Sequence, residues 1–430
     1  MSEEKSAEIE VPSWLNKELI QQAIRNSGQE SLRLEKMAVQ RGSAPGDNYA
    51  SIIYRVKATL SDGSERSLLV KGPPAGELMA SEMAENGLFA IETNMLANIV
   101  PRIEGVLEEV APGRFGAFAA RCPLGGTAPV HHLVMEDLRP EGFTLAERKR
   151  GLGLRHCLVA LRALARFHAA SHALLRRQPE LPQIFGNPWE MARGGSSPFV
   201  EAGLQSAADA CRLWPGFEAY ADALEKYKNP EQIKKLVDMF DTKNDGFNVV
   251  VHGDFWTNNM MFRYEDGIPV DIRFVDYQVS NVCSPAIDIL YFLNTSLSDN
   301  VSEHHQDLLI REYHAELQEV MGLLGLKAPS LQELLADLDR HGLYAMQTSI
   351  NESINQSINE PLSRCSPRRC KICWRTWTAT GCAPCKHQST NQSINQSINE
   401  PLSRCRPRRC KSCWPTWTAT GCTPCTAPHA

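Results

Sequence analysis

The spacing of apolar positions divides the chain into a strand-rich first third and a helix-rich remainder. Leu15, Leu19, Ile20, Ala23 and Ile24 fall on one helical face, predicting an amphipathic helix over 13–26 capped by Ser13. Residues 31–40, 51–60 and 67–71 then read as strands. The turn-rich RGSAPGDNYAS separates the first two, and an SDGS turn precedes the third. Residues 77–98 predict a helix, and 101–107 and 130–136 two further strands. From 151 the period changes. Leu154, Leu158, Leu161, Leu164, Ala165 and Phe167 recur at helical spacing and predict a long helix over 151–176. Residues 179–248 contain helical segments without recognisable chemistry. Short apolar runs follow at 249–251 and 272–275, with Gly267 suited to a hairpin-like return. SPAIDILYFL starts a helix with Pro285 near its first turn, and 303–324 and 329–345 read as two more amphipathic helices.

Composition sharpens this picture by splitting it. With 430 residues the chain is long enough for two lobes and a sizeable core. Residues 350–430 carry eleven Lys+Arg against three Asp+Glu, net +8, which leaves the body at −13 in a chain of net −5. An acidic body argues against nucleic acid as the main partner. Four of the fourteen cysteines, Cys122, Cys157, Cys211 and Cys283, lie scattered in the body, a usage that fits a reduced, cytoplasmic protein. The acidic, polar MSEEKSAEIE is no signal peptide. No apolar run approaches the roughly 20 residues of a membrane helix, so no membrane partner is expected.

The chemistry concentrates in 249–278, VVVHGDFWTNNMMFRYEDGIPVDIRFVDYQ. One apolar run ends in His252-Gly253-Asp254, Asn259 lies five residues beyond Asp254, and Asp276 ends the second run. Two short strands therefore deliver an Asp, an Asn and an Asp to one point. Hard oxygen ligands at strand ends suit a magnesium–phosphate site, and an unligated carboxylate beside them suits a hydroxyl nucleophile. Upstream, the strand SLLVK ends in Lys71, and the loop with Gly42 and Gly46 has the strand–loop–strand layout of a phosphate-covering loop. A strand-end lysine can hold phosphate oxygens, and a glutamate on the next helix can orient it. Glu77, Glu82, Glu85 and Glu92 all qualify by position. His168 and His172 stand four apart, a metal-ligand spacing without a third ligand nearby, and read as packing residues.

HGDFWTNNMMF, FVDYQ and DILYFL together resemble the ecdysteroid-kinase-like, or CHK-kinase-like, proteins. These belong to the aminoglycoside-phosphotransferase and choline-kinase branch of the protein-kinase-like fold. The resemblance covers about residues 12–347. It implies a two-lobed α+β architecture: a β-rich nucleotide-binding lobe over 1–138 and a mainly helical catalytic and acceptor-binding lobe over 139–347. Carried over, Asp254 matches the catalytic base, and Asn259 and Asp276 the magnesium ligands. Lys71, oriented by Glu92 of FAIETNML, matches the holder of the ATP phosphates. GDNYAS places Gly46 in the covering loop. Glu136 and Leu138 match the hinge whose backbone holds adenine, and Asp288 a structural brace of the catalytic loop. The implied reaction is ATP- and magnesium-dependent phosphorylation of a hydroxyl on a small, possibly steroid-like molecule. No activation segment with an APE-like end follows VDYQ, which disfavours a peptide substrate. The alternatives are an inactive kinase-like protein and a zinc-binding interaction protein acting through the tail.

The tail, 348–430, is a different text. PLSRC(S/R)PRRCK(I/S)CW(R/P)TWTATGC(A/T)PC occurs twice at a 40-residue period, preceded each time by NQSI-like repeats. A repeated AATC tetranucleotide read in frame gives Asn-Gln-Ser-Ile, so a microsatellite explains this text without selection on structure. Cys370, Cys373, Cys382 and Cys385, repeated as Cys410, Cys413, Cys422 and Cys425, have zinc-knuckle spacing, but duplication explains near-identical copies better. A stretch without a packed apolar pattern is expected to be disordered. Family members usually continue past HGLYAMQTSI with further helices. The large lobe is therefore expected to be truncated, with apolar faces of 303–324 and 329–345 (Leu308, Leu309, Leu317, Val320, Leu323, Leu324, Leu331, Leu334, Leu335, Leu338 and Leu343) lacking partners.

Overall fold

A computed structural model describes residues 11–348 except 43–50, 74–86, 129, 148–149, 186–197, 214–217, 227, 243–245, 343 and 346–347. The chain divides into two compact units, Met1–Cys382 and Ala383–Ala430, and every described residue falls in the first. The phosphate-covering loop with Gly46, the alternatives Glu77, Glu82 and Glu85, and the tail cysteines lie outside the described residues.

The first lobe is a five-stranded antiparallel sheet with a helix against it. Helix α1 spans Lys17–Asn26. Strands β1 (Leu34–Arg41), β2 (Ile52–Leu60), β3 (Glu65–Gly72), β4 (Leu124–Gly126) and β5 (His132–Glu136) lie in the order β1-β2-β3-β5-β4. Alternation along β2 sends Tyr54, Val56, Ala58 and Leu60 inward against Ile20, Ala23 and Ile24 of α1. The cap of α1 is Asn16, whose side chain accepts from Leu19 N at 3.0 Å, not Ser13. The chain first turns at Pro12–Leu15, which leaves Trp14 packed edge-on to Tyr54 and stacked on His132.

Residues 101–107 are not a strand. Helix α2 (Leu88–Asn94) continues through one π-helical turn, Met95–Ile99, into α3, Val100–Val110. Pro101 at its start suits a first helical turn, and the buried Ile103, Val106 and Leu107 carry the 3.6-residue period. The spacing of these apolar positions is helical, not the alternation of a strand.

The second lobe is mainly helical. Its two small ladders, β7 (Val249–Val251) with β10 (Asn281–Cys283) and β6 (Phe143–Leu145) with β8 (Met260–Glu265) and β9 (Ile268–Phe274), present the chemistry. Asp266 and Gly267, both at positive φ, form the β8–β9 turn. The core is built on α4, Leu154–Arg177, whose buried face includes Leu161, Leu164, Phe167 and His168. After it the chain forms α5 (Pro198–Leu213), α6 (Glu218–Lys226) and α7 (Pro230–Asp238), then α8 (Ala286–Thr295), α9 (Asp299–His304), α10 (Gln306–Leu323) and α11 (Leu331–Arg340).

The last two helices do find partners. Helix α10 lies against α4 and buries Leu309, Leu317 and Val320, while α11 packs on α8 and buries Leu334 and Leu338. Leu324 and Leu331 are partly buried, Leu308, Leu323 and Leu335 are exposed, and Leu343 lies outside the described residues. The expected bare faces are thus largely covered by the described chain. No described helix is long and apolar enough to cross a membrane.

Candidate active site

Strand β3 pairs with β2 and β5 on its two edges, which fixes the position of Lys71 near its end. The lysine side chain is buried, and its Nζ meets Glu92 Oε2 at 2.7 Å and Asp276 Oδ1 at 2.8 Å. Glu92 comes from α2, so sheet, helix and second lobe converge on one ammonium. Burial opposes the lysine's charge, but the two carboxylates outweigh it and hold its pKa well above the ordinary range. Burial also lifts Glu92, to about 6, against the pull of Lys71. The partners respond differently because Lys71 draws on two carboxylates whereas Glu92 has one cation and the charge of Asp276 nearby.

Asp254 and Asn259 form the second half of the site. A short 3-10 turn, Thr257–Asn259, brings Asn259 back so that its Nδ2 donates to the Asp254 main-chain oxygen at 2.9 Å and to Oδ2 at 2.8 Å. Among the described residues no side-chain hydrogen bond to the amide oxygen of Asn259 is present, and an amide oxygen can accept from or ligate another group. Burial raises the pKa of Asp254, and the neighbouring Asp276 charge adds to this. Hydrogen bonds from Tyr291 and Asn259 act in the opposite direction.

Asp276 follows β9 in a left-handed conformation, φ +69°, rare for a residue with a side chain. The turn aims Oδ1 at Lys71 and leaves Oδ2 with a 3.3 Å contact from Gln278 Nε2. Its side chain is 28% exposed, against 7% for Lys71, so it is the open member of the pair. Strain of order 1–3 kcal/mol at such a residue persists only where the surroundings hold it. They do so through His252, whose Nε2 donates to Val275 O at 3.0 Å and whose Nδ1 accepts from Asp254 N at 3.4 Å. That pairing assigns the imidazole its Nε2–H tautomer.

The loop backbone is braced from behind. Gly253 has φ +85°, and a Cβ there would stand 2.3 Å from Val279 O, so only glycine fits. Asp288 accepts from His252 N at 2.7 Å and Gly253 N at 2.8 Å, as a structural aspartate on this helix should. His168 Nε2 reaches Asp288 Oδ2 at 3.1 Å, and its Nδ1 reaches Tyr313 Oη at 2.8 Å. His172 bonds the Asn248 carbonyl through Nδ1. The two histidines spaced four apart are thus committed to separate structural bonds. Replacing His168 by leucine would strand the Tyr313 hydroxyl and part of Asp288 in the core. The expected cost is about 1–3 kcal/mol, read as a lower urea midpoint at unchanged slope.

The hinge residues lie apart from this cluster. Glu136 pairs with Leu68 in the β3–β5 ladder, three steps from the Lys71–Leu133 pair, or roughly 10 Å. Its N–H donates to Arg121 O, and Asp137 is clamped by Arg55 Nε and Ser67 Oγ, each at 2.7 Å. Leu138 is buried just beyond. A cavity of about 430 Å³, lined by His172, Asn248, Ser284, Glu333 and Arg340, opens at the opposite end of the β7–β10 ladder from Asp254 and is separate from this chemistry.

Lys71, Glu92 and Asp276 therefore form one ionic cluster, with Asp254 and Asn259 bonded together beside it. Gly46 lies outside the described residues, and Glu136 and Leu138 stand along the sheet. The roles of Gln278, Tyr291 and Tyr313 were not visible in sequence. DYQ placed Gln278 beside the site without a partner, and no spacing links Tyr291 to Asp254.

No curated protein matches the chain. Similar solved structures include a streptomycin–ATP–APH(2″)-IIa ternary complex, 12% identical, covering 84% of this chain and 99% of that one at a TM-score of 0.34. Another is a GDP and kanamycin complex of an APH(2″) enzyme, 10% identical, covering 85% and 98% at 0.35. A third is a GDP complex of an aminoglycoside 2′-phosphotransferase-IIIa mutant, 11% identical, covering 90% and 100% at 0.34. The family model described as ecdysteroid kinase-like matches residues 45–326 and takes in Lys71, Glu92, Asp254, Asn259 and Asp276. The chain belongs to the ecdysteroid kinase-like family.

Proposed function

We propose that the protein is an ATP- and magnesium-dependent small-molecule kinase that phosphorylates a hydroxyl of a small, steroid-like acceptor. The observation that supports this reading best is the buried lysine held between Glu92 and Asp276, next to the Asp254–Asn259 pair. The donor set fits the absent groups. The amide oxygen of Asn259 and the half-buried carboxylate of Asp276 are hard oxygen ligands that would hold magnesium. Lys71, kept charged and oriented by Glu92, would hold phosphate oxygens. The Glu136–Leu138 backbone would hold adenine, and the Gly46 loop would cover the phosphates. Bound magnesium and ATP would supply the transferable phosphoryl group and neutralisation of its charge. Asp254 orients the acceptor hydroxyl and takes its proton, a task favoured by the raised pKa of a carboxylate short of solvent. Most of the rate would come from positioning and charge complementarity. We place the protein in the cytoplasm, with a small hydroxylated molecule rather than nucleic acid or membrane as its partner.

The test is direct. The purified chain is incubated with ATP, with or without magnesium, and with a panel comprising ecdysone, other steroid alcohols, choline and an aminoglycoside. Phosphorylated product is read by mass spectrometry. Magnesium-dependent product on a steroid alcohol is expected. No product from any acceptor would contradict the kinase reading, and product on choline or the aminoglycoside alone would redirect the acceptor class.

Glu92 adds a pH dependence. Its folded pKa is raised, so its own contribution to stability is greatest in acid and is lost as pH rises through about 6. Nucleotide binding should run the other way. Below about 6 the carboxyl is protonated and ceases to orient Lys71 as an ion. Magnesium–ATP affinity is therefore expected to fall between pH 7.5 and 5. Calorimetry with Glu92→Gln, which retains every other titrating group, should show a flatter profile and a weakened affinity already at pH 7.5.

A further inference from the structure

One side chain ties the hinge to the first lobe. Asp137 directly follows β5, and its carboxylate is buried. Its Oδ2 accepts from Arg55 Nε of β2 and from Ser67 Oγ of β3, each at 2.7 Å. Its Oδ1 accepts from Arg139 N at 3.2 Å. A single carboxylate therefore joins two strands of the sheet to the segment that leaves it. Burial opposes its charge, but the bonds from Arg55 and Ser67 outweigh this and hold its pKa below the ordinary carboxylate range.

These bonds fix a main-chain direction. Asp137 N donates to Ser67 O at 3.2 Å, toward β3. Main-chain groups of successive strand residues point to opposite edges, so those of Glu136 point away from β3, where its N–H donates to Arg121 O at 2.9 Å. The Glu136 carbonyl shares that edge. The Leu138 carbonyl accepts from Glu141 N and Phe143 N, and among the described residues the Leu138 N–H has no acceptor. A carbonyl and an N–H two residues apart match adenine, whose N6 amino group donates beside the accepting N1. Guanine reverses the order, with O6 accepting and N1–H donating. We propose that Asp137 is a positioning residue for the nucleotide base: its clamp to Arg55 and Ser67 sets the main chain of 136–138 in the orientation that selects adenine over guanine. The proposal rests on the kinase reading above.

Calorimetry on the full chain tests this without any acceptor or turnover. The titrants are the magnesium complexes of ATP, GTP and tripolyphosphate, the last having no base. The unmodified chain should prefer ATP to GTP, because a site built on hydrogen bonds rejects a base that cannot make them. Asp137→Asn should weaken ATP about tenfold, the scale of one hydrogen bond to a charged group, and bring it close to GTP. Tripolyphosphate should bind as before. A purely structural aspartate would weaken all three alike, and that result, or an unchanged ATP affinity, would overturn the proposal. Equal affinity of the unmodified chain for ATP and GTP would overturn base selection at the hinge and leave the phosphate site standing. Binding of none of the three would instead refute the kinase reading, and the positioning role would fall with it. If Asp137→Asn lacks a cooperative urea transition, Ser67→Ala, which keeps the ion pair, carries the test. It should narrow the ATP-to-GTP preference in the same direction, and an unchanged preference would overturn the proposal.

Discussion

Replacing Asp276 by alanine is expected to abolish magnesium-dependent binding of ATP. The side chain is half-buried, more open than Lys71, and is the anionic one of the two proposed metal ligands. A divalent ion bridging phosphate oxygens loses its charged protein anchor when that carboxylate goes. The substitution also changes Lys71, which keeps only Glu92 as a counter-charge. Residual ATP binding, if any, should therefore be insensitive to magnesium. Calorimetric titrations with and without the ion check this, and unchanged magnesium dependence in Asp276→Ala would remove the residue from the metal site. The backbone offers a second handle. Asp276 sits at φ +69°, so Asp276→Gly should relieve local strain and lose magnesium dependence alike, separating fold from function.

Asp254→Asn is expected to cut turnover by at least about a hundredfold while leaving ATP binding near normal, the usual scale for a lost general base. Asparagine keeps the shape, and its amide oxygen can still accept from Asn259 Nδ2, so the loop should retain its conformation. What it loses is the capacity to take a proton from the acceptor hydroxyl. The residue contacts Asn259 but neither Lys71 nor Glu92, which is why the nucleotide should still bind. Full turnover in the mutant would show that the acceptor loses its proton elsewhere.

Much of this site was legible because its residues end short strands. HGD closes β7, VD closes β9 and Lys71 nearly closes β3, so apolar runs in the sequence already located the chemistry. Glu92 required more. Four carboxylates were open by position, and a resemblance at FAIETNML selected the one that the structure places 2.7 Å from Lys71. The misread strand at 101–107 shows the opposite lesson, since Ile103, Val106 and Leu107 follow the helical spacing that the sequence already carries. Contacts between distant segments were invisible. His168 meets Asp288 across 120 residues, and nothing local in either stretch announces the partner. The expectation of bare apolar faces on the last helices was met only at Leu308, Leu323 and Leu335, for the same reason. Leucines at helical spacing say that a face is buried, not by what, and α4 and α8 supply the cover.

The central claim is that Lys71, Glu92, Asn259 and Asp276 make a magnesium–nucleotide site. The most direct measurement is calorimetric titration of ATP into the unmodified full-length chain at pH 7.5, with magnesium and with a chelator. A single saturable site that requires magnesium, and that disappears in Asp276→Ala, is the predicted result. No binding in either condition, or binding indifferent to magnesium in the unmodified chain, would contradict the account.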